Sequence, residues 1–226
     1  EIINCDIFGN GFPHSGSPEH GMYISTTNNL FDGNRIYDNW GWGVHQFSGP
    51  GIDDNIYRNN KFFMLNFTSY DGSGEPGRVK GDGMILSSGS RNLVYNNLFY
   101  DNGGGLKVGN DNANDEFDNE VYNNTVYNNG NGIRIAVDAS STIVKNNIAF
   151  QNTEYNISDS GTSTVLSNNL TTDPLFVDAA NKNFAITSNS PAKDAGTTLA
   201  DVPTDFLGIS RPQGAAYDIG AYEYVV

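Results

Sequence analysis

Short alternations of apolar and polar residues recur along the chain between asparagine-rich corners. The corners are marked at intervals of 22 to 37 residues by Asn4, Asn34, Asn60, Asn97, Asn124, Asn147 and Asn169. From the second marker onward an apolar residue stands three positions earlier, and in four cases another Asn stands five positions later. Brief alternation bounded by turn-forming residues is typical of strands. The pattern therefore predicts a repeat of short β-strands joined by Asn- or Gly-centred corners.

Five repeats also contain a strand that begins with glycine. These are Gly21-Met22-Tyr23-Ile24, Gly43-Val44-His45, Gly83-Met84-Ile85-Leu86, Gly105-Leu106-Lys107-Val108 and Gly132-Ile133-Arg134-Ile135. One repeat is too short to bury its own apolar face, whereas stacked repeats bury a continuous core. Asn suits the corners because it tolerates left-handed backbone angles and because stacked amides can hydrogen-bond to one another. We predict an all-β solenoid of about seven coils.

The segments NNLFYDNGGGLKV, NNTVYNNGNGIRI and EHGMYIS resemble the right-handed parallel β-helix proteins of the pectate-lyase-like superfamily. The resemblance covers residues 1–170 and implies a right-handed parallel β-helix. Lyases, uronan epimerases, glycosidases, adhesins and phage spikes share this scaffold, so it does not select one activity. Residues 171–226, which include DPLFVDAANKNFAITSNSPAKDAG, resemble the C-terminal segment of choice-of-anchor β-helix proteins. We expect this segment to cap the edges of the last coil. A ligand-binding role is the alternative.

Composition narrows the classes of partner. With 12 Lys plus Arg against 26 Asp plus Glu, the formal charge is −14, which disfavours nucleic acid. The single Cys5 excludes an internal disulfide framework, and no apolar run approaches the roughly 20 residues of a membrane span. The Asn- and Gly-rich composition suits an exported protein. We expect a secreted or cell-surface monomer of bacterial type, with the signal segment absent from this chain.

Candidate chemistry follows from the alternation in the glycine-led strands. The residue after each glycine is apolar in all five copies, so the next residue faces outward. That outward column reads Tyr23, His45, Ile85, Lys107 and Arg134. At about 4.8 Å per rung, Lys107 and Arg134 are neighbours and His45 lies about two rungs from Lys107. The alternative is a solvated face that carries these cations by chance.

Two insertions, residues 10–20 and 68–82, precede strands of the same predicted sheet and are expected to wall one groove. His20, Trp42 and Asp82 stand immediately before a strand glycine and should share one rim of that groove. Arg78 and Lys80, in the second insertion, are further candidates for substrate binding together with Tyr23, Trp42 and Asp82.

An acidic stretch follows the Lys107 strand and includes Asp111 and Asp115. Closely spaced oxygen ligands suit Ca²⁺, although the spacing does not match an EF-hand loop. Asp111 and Asp115 are therefore candidate calcium ligands, and a solvated acidic turn is the alternative.

These residues favour an enzyme that acts on a uronate-containing polysaccharide, a lyase or an epimerase. Similar β-helix lyases use Lys or Arg as the base, often with Ca²⁺, and the resemblance implies the same here. Lys107 is then the base, whose pKa a like charge would lower, and Arg134 binds the uronate carboxylate. His45 or His20 donates the proton to the leaving oxygen. A non-catalytic glycan-binding module is the first alternative, and a glycosidase using Asp82 with Glu19 is the second.

Overall fold

The computed structural model describes residues 1–11, 19–47, 51–64, 68–69, 77–78, 81–109 and 117–225, with 68–69 and 77–78 described by their backbone alone. The predicted right-handed parallel β-helix is confirmed. Each turn contributes one strand to each of three parallel sheets, which we name A, B and C in chain order. In the described residues the helical structure is the 3₁₀ turn Ala179–Asn181, and no helix there has the length and apolarity needed to cross a bilayer.

The three sheets are built from strands of two to five residues. Sheet A consists of Ile2–Ile3, Leu30–Asp32, Ile56–Arg58, Leu93–Tyr95, Glu120–Tyr122, Ile143–Lys145 and Val165–Ser167. Sheet B consists of Asp6–Phe8, Arg35–Tyr37, Lys61–Phe63, Leu98–Tyr100, Thr125–Tyr127 and Ile148–Phe150. Sheet C consists of Met22–Ile24, Val44–Gln46, Asp82–Leu86, Gly104–Val108, Asn131–Ile135 and Tyr155–Asp159. The described chain thus makes six three-stranded turns and one further strand of sheet A, slightly fewer than the predicted seven coils.

The core lies inside the solenoid and is made of stacked side chains. Phe31 and Tyr57 stack with ring centroids 4.6 Å apart, and Phe62 and Phe99 do the same. In sheet C the inward residues Val44, Met84, Leu106 and Ile133 follow one another in register and are at most 1% exposed. The predicted inward orientation of the residue after each glycine is confirmed at these positions.

Asparagine ladders hold successive turns together at the corners. The Asn60 side-chain oxygen accepts both the backbone N–H and the side-chain N–H of Asn34, at 2.9 Å each. The Asn60 amide nitrogen donates in turn to the side chain of Asn97 and to the Phe31 carbonyl. Because every polar atom of such a buried amide is bonded, it can lie inside the corner without a desolvation cost. The predicted stacking of Asn amides is confirmed, and a further ladder joins Asn29, Asn55, Asn92 and Asn119.

The first Asn of each pair turns the corner in the left-handed region, with φ between 48° and 57° at Asn59, Asn96, Asn123, Asn146 and Asn168. Asn4, with φ 54°, belongs to this set. The marker alignment was therefore wrong by one residue in the first coil, where Cys5 occupies the ladder position and its N–H donates to the Asn34 side chain.

The C-terminal segment packs along the outer faces of sheets A and B. Phe184 and Ala221 pack on Leu98 and Tyr100 of sheet B, while Val202 packs between Tyr95 and Tyr122 of sheet A. Its two short strands, Phe176–Asp178 and Asn183–Ile186, pair antiparallel with each other. Leu166, the last member of the inward stack in sheet A, remains 44% exposed. The segment thus supports the sides of the solenoid, which differs from the predicted cap over the edges of the last coil.

Candidate functional site

A bend at each strand glycine places two columns of side chains on the outer face of sheet C. A β-carbon built on Gly83 would lie 2.6 Å from the Phe99 ring and 3.2 Å from Phe62, so Gly83 faces the core. Met84 also faces the core. Two consecutive inward positions require a local break in alternation, and only a residue without a side chain fits at the first of them. Asp82 and Ile85 therefore both face outward, one on each side of the bend.

The first outward column has the predicted order. Register pairs align Tyr23, His45, Ile85, Lys107, Arg134 and finally Ser158. Exposure varies along it: Tyr23 is 51% exposed, whereas His45 is 6% and Ile85 1% exposed. Outward side chains are therefore covered in the middle of the column, whereas Arg134 is exposed.

The second outward column contains Asp82, Gly104, Asn131 and Tyr155 in register. Gly104 has no side chain, and the Asp82 carboxylate occupies that space, 2.1 Å from where a β-carbon of Gly104 would be. Burial raises the pKa of Asp82, and the nearby charges of Lys107 and Arg134 oppose part of that rise. The carboxylate thus stands close to both cations of the first column.

Tyr155 completes this group and was not among the candidate residues. Burial raises the pKa of the Tyr155 phenol, the charge of Arg134 opposes the rise, and Asp82 adds to it. Its strand was missed because it lacks the glycine that marks the other five; only its spacing after the previous marker would have pointed to it. We name Asp82, Lys107, Arg134 and Tyr155 the cationic patch.

At the other end of sheet C, rings from two successive turns form a second cluster. His20 stacks on Trp42 with a centroid separation of 4.9 Å and an interplanar angle of 6°. His45 meets Trp42 edge-on at 4.7 Å and Tyr23 edge-on at 5.2 Å. We name this group, with Phe47, the aromatic–histidine cluster. It brings together His20, Tyr23, Trp42 and His45, all of which were predicted to belong to the site.

His45 is held on both sides of its ring. Its Nδ1 lies 3.2 Å from Nε2 of His20, and its Nε2 lies 3.2 Å from the hydroxyl of Ser87. Ser87, which is fully buried, was not among the candidate residues. The arrangement fixes the His45 ring and leaves His20 as the more accessible histidine.

The two groups are separated along the sheet. His45 lies two register steps from Lys107, through Ile85, which is about 10 Å at the usual strand spacing. Tyr23, which follows His20 in the chain by three residues, lies one step further, at about 14 Å. These distances exceed the span of one glycosidic bond. The register thus places His45 two rungs from Lys107, the separation that the sequence predicts.

Some candidates fall outside the described residues, namely Lys80, Asp111 and Asp115. Arg78 lies in a two-residue strand, Gly77–Arg78, that pairs antiparallel with Thr68–Ser69. Among the described residues no three His, Cys, Asp or Glu side chains come close enough to form a metal site. The Glu19 carboxylate lies beside Gly11, and the Asp82 carboxylate lies over Gly104.

Comparison with known proteins agrees with this architecture. Residues 1–171 match the family model described as "Right handed beta helix region". The chain belongs to this right-handed β-helix family. Solved structures similar to this β-helix include that of pectate lyase Pel9A, with a TM-score of 0.64 and 19% sequence identity over 98% of this chain. This β-helix spans 58% of that lyase's length, and at such identity the likeness concerns the fold. No curated protein matches the chain.

Proposed function

We propose that this β-helix protein acts on a uronate-containing polysaccharide at the outer face of sheet C, as a lyase or an epimerase. The observation that carries the proposal is the cationic patch. Lys107 and Arg134 are register partners on neighbouring strands, in a chain with only 12 Lys plus Arg, and an acidic residue and a phenol lie beside them. Paired cations on a rigid sheet suit a sugar that carries a carboxylate at each ring.

Each residue of the patch has a distinct task in this proposal. Arg134, exposed at the surface, binds the uronate carboxylate and stabilises the charge that develops on it when the adjacent proton leaves. Lys107 accepts that proton. In β-elimination the C–H electrons form a ring double bond, and the glycosidic C–O bond breaks. Epimerisation instead returns a proton to the opposite face of the same carbon.

Asp82 and Tyr155 adjust this chemistry. The Asp82 carboxylate favours the protonated form of Lys107, whereas the positive charge of Arg134 favours the neutral form. A substrate carboxylate bound between the cations competes with Asp82 for them. Tyr155, near Arg134, is better placed than either histidine to protonate the leaving oxygen. We therefore assign His20 to binding of a more distant sugar ring and His45 to holding His20 in place.

Ca²⁺ remains part of the proposal on the basis of sequence alone. Asp111 and Asp115 follow the Lys107 strand by a few residues, and oxygen-only ligands suit this ion. When bound, Ca²⁺ would supply additional neutralisation of the uronate carboxylate. Dialysis against a calcium chelator, followed by activity and calcium-binding measurements, tests this part separately.

A binding module without catalysis is the second candidate, and the aromatic–histidine cluster favours it. Tyr23 is half exposed beside His20 and Phe47, and exposed ring faces suit stacking against sugar rings. This function requires no base and leaves the cationic patch as a recognition element for carboxylates.

One experiment separates these functions. The protein is incubated with a panel of uronate and neutral polysaccharides, and three products are measured: ultraviolet-absorbing unsaturated ends, reducing ends and altered uronate epimers. Unsaturated ends identify a lyase, and altered epimers without cleavage identify an epimerase. Reducing ends without absorbance identify a hydrolase and contradict the proposal. Binding without any product supports the module.

A further inference from the structure

A groove lies on the outer face of sheet B, where the C-terminal segment meets it. Its volume is about 460 Å³, within the usual range for small-molecule sites. It is lined by Tyr127, Phe150, Gln151, Asp173, Leu175, Phe176, Ala179, Thr187 and Asn189. None of these residues belongs to the cationic patch or to the aromatic–histidine cluster.

The floor of the groove is aromatic and rigid. Tyr127 and Phe150 are register partners on neighbouring strands of sheet B, with ring centroids 6.4 Å apart. Phe176, from the C-terminal segment, meets Tyr127 edge-on at 5.7 Å. All three rings are partly exposed, so they offer apolar surface to a ligand without needing to reorganise.

The rim of the groove is polar and carries both donors and acceptors. Tyr127 donates its hydroxyl hydrogen to the Gln151 side-chain oxygen at 2.7 Å. The Gln151 amide nitrogen takes no part in this bond. One Asp173 oxygen accepts the Leu175 N–H, and its other oxygen stays available. Exposed Asn189 adds an amide on the opposite wall. Hydroxyl groups of a sugar can pair with donors and acceptors of this kind.

The charge of the groove selects the class of sugar. No Lys, Arg or His is among the lining residues, and Asp173 is the one charged group among them. A uronate would meet a carboxylate there without a compensating cation. We propose that this groove binds one or two rings of a neutral polysaccharide, separate from the acidic chain assigned to sheet C. The protein would thus hold two chemically different glycans on two faces of one solenoid.

Titration with neutral oligosaccharides tests the proposal. Hexamers of β-1,4-linked glucose, mannose, xylose and galactose are added at millimolar concentration, and binding is followed by calorimetry and by the NMR ring signals of Tyr127 and Phe150. At least one hexamer should bind and shift these signals, and oligogalacturonate should not compete. Asn189→Ala should weaken binding by about threefold to tenfold, the worth of one hydrogen bond. Gln151→Asn should act similarly, since Asn tolerates the φ of 55° at this position.

Ser188→Ala is the matched control, because Ser188 is exposed next to Asn189 but does not line the groove. It should leave binding unchanged, as should Lys107→Ala, which alters sheet C alone. If none of the neutral hexamers binds, the proposal is overturned. It is equally overturned if binding survives both groove variants or disappears with Lys107→Ala. Any of these outcomes leaves the lyase assay on sheet C unaffected, so the two proposals fail independently.

Discussion

The Nδ1 atom of His45 lies 3.2 Å from Nε2 of His20, so the two imidazoles share one hydrogen bond on the face of sheet C. A neutral imidazole has one donor and one acceptor nitrogen. Ser87 contacts the other nitrogen of His45, and its hydroxyl can donate or accept, so the proton positions on both imidazoles are coupled. His45 is therefore a positioning residue, and His20 is the less buried of the two rings.

Replacement of His45 should cost stability more than replacement of its exposed neighbour in the same column. His45→Ala leaves a cavity among rings and removes a partner from both His20 and Ser87, so we expect a loss of about 2–5 kcal/mol in the free energy of unfolding. Tyr23→Ala should cost about 1 kcal/mol or less, since Tyr23 is half exposed. Urea unfolding of the two variants measures the difference, and equal losses would contradict the burial of His45.

The register of sheet C can be tested with two adjacent residues. Leu106 is 1% exposed in the core, so Leu106→Ala should lower the unfolding free energy by about 2–5 kcal/mol. Lys107 faces outward, and Lys107→Ala should change it by about 0.5 kcal/mol or less. Thermal and urea unfolding of both variants provide the comparison. A larger loss of stability for Lys107→Ala than for Leu106→Ala would show that the inward and outward faces of this strand are assigned the wrong way round.

Sequence periodicity predicted which residues face inward, because alternation and the repeated glycine depend only on local backbone geometry. It did not predict that Ile85 and His45 are covered, since exposure on an outer face depends on what packs there. Tyr155 was missed for a related reason: its strand has the geometry of the repeat without the glycine that marks it. The separation of His45 from Lys107 was predicted, because it follows from the number of repeats between them.

The C-terminal segment was the least predictable part, because it has no repeat from which its neighbours could be inferred. Its packing depends on particular buried pairs. Arg211 donates to Glu223 at 2.6 Å and to the Asn96 side chain at 3.2 Å, and both members of the ion pair are completely buried. The positions of Arg211 and Glu223 in the sequence do not indicate that the two side chains form an ion pair.

This buried pair should be essential for attachment of the segment. Arg211→Met leaves the Glu223 carboxylate buried without its cation, and we expect a loss of about 3–5 kcal/mol in unfolding free energy. The double variant Arg211→Met/Glu223→Leu should recover part of that loss, because the Glu223 carboxylate is removed; the recovery is partial because the buried carboxylates of Asp205 and Asp218 still lack the Arg211 charge. Chemical unfolding of the single and double variants gives the coupling free energy between Arg211 and Glu223. A double variant as unstable as the sum of both single variants would argue against an interaction between them.

Asp82 should make stability depend on pH with a definite sign. Because burial raises its pKa in the folded state, the folded protein binds the proton more tightly than the unfolded chain does. The resulting stabilisation is present below the ordinary aspartate pKa of about 4 and is lost as pH rises through the raised value. Asp82→Asn should therefore be more stable than the parent at pH 7, with the difference shrinking towards acid pH. Lys107, Arg134 and Tyr155 are among the charged or titratable groups that act on this carboxyl.

Asp178→Asn is the control of opposite sign. Hydrogen bonds from the Asn181 side chain and backbone lower the pKa of Asp178, so its contribution is present at neutral pH and is lost in acid. The two variants are compared by urea unfolding from pH 3 to pH 7. Parallel pH trends for Asp82→Asn and Asp178→Asn would refute the assigned environment of Asp82.

The role of Lys107 as a base predicts a loss of turnover without a loss of fold. General-base catalysis contributes a factor of about 10²–10⁴, so Lys107→Ala should lower kcat by that order on whichever uronate polysaccharide is cleaved or epimerised. Added primary amine should restore part of the activity, because a small amine can enter the space left by the side chain and accept the proton.

Arg134→Ala should instead raise KM as well as lower kcat, since Arg134 binds the carboxylate. Ser158→Ala, one rung beyond Arg134 in the same column, serves as the control and should keep full activity. Undiminished turnover of Lys107→Ala would remove lysine from the mechanism, and a loss that no amine restores would reduce its role to binding the polyanion.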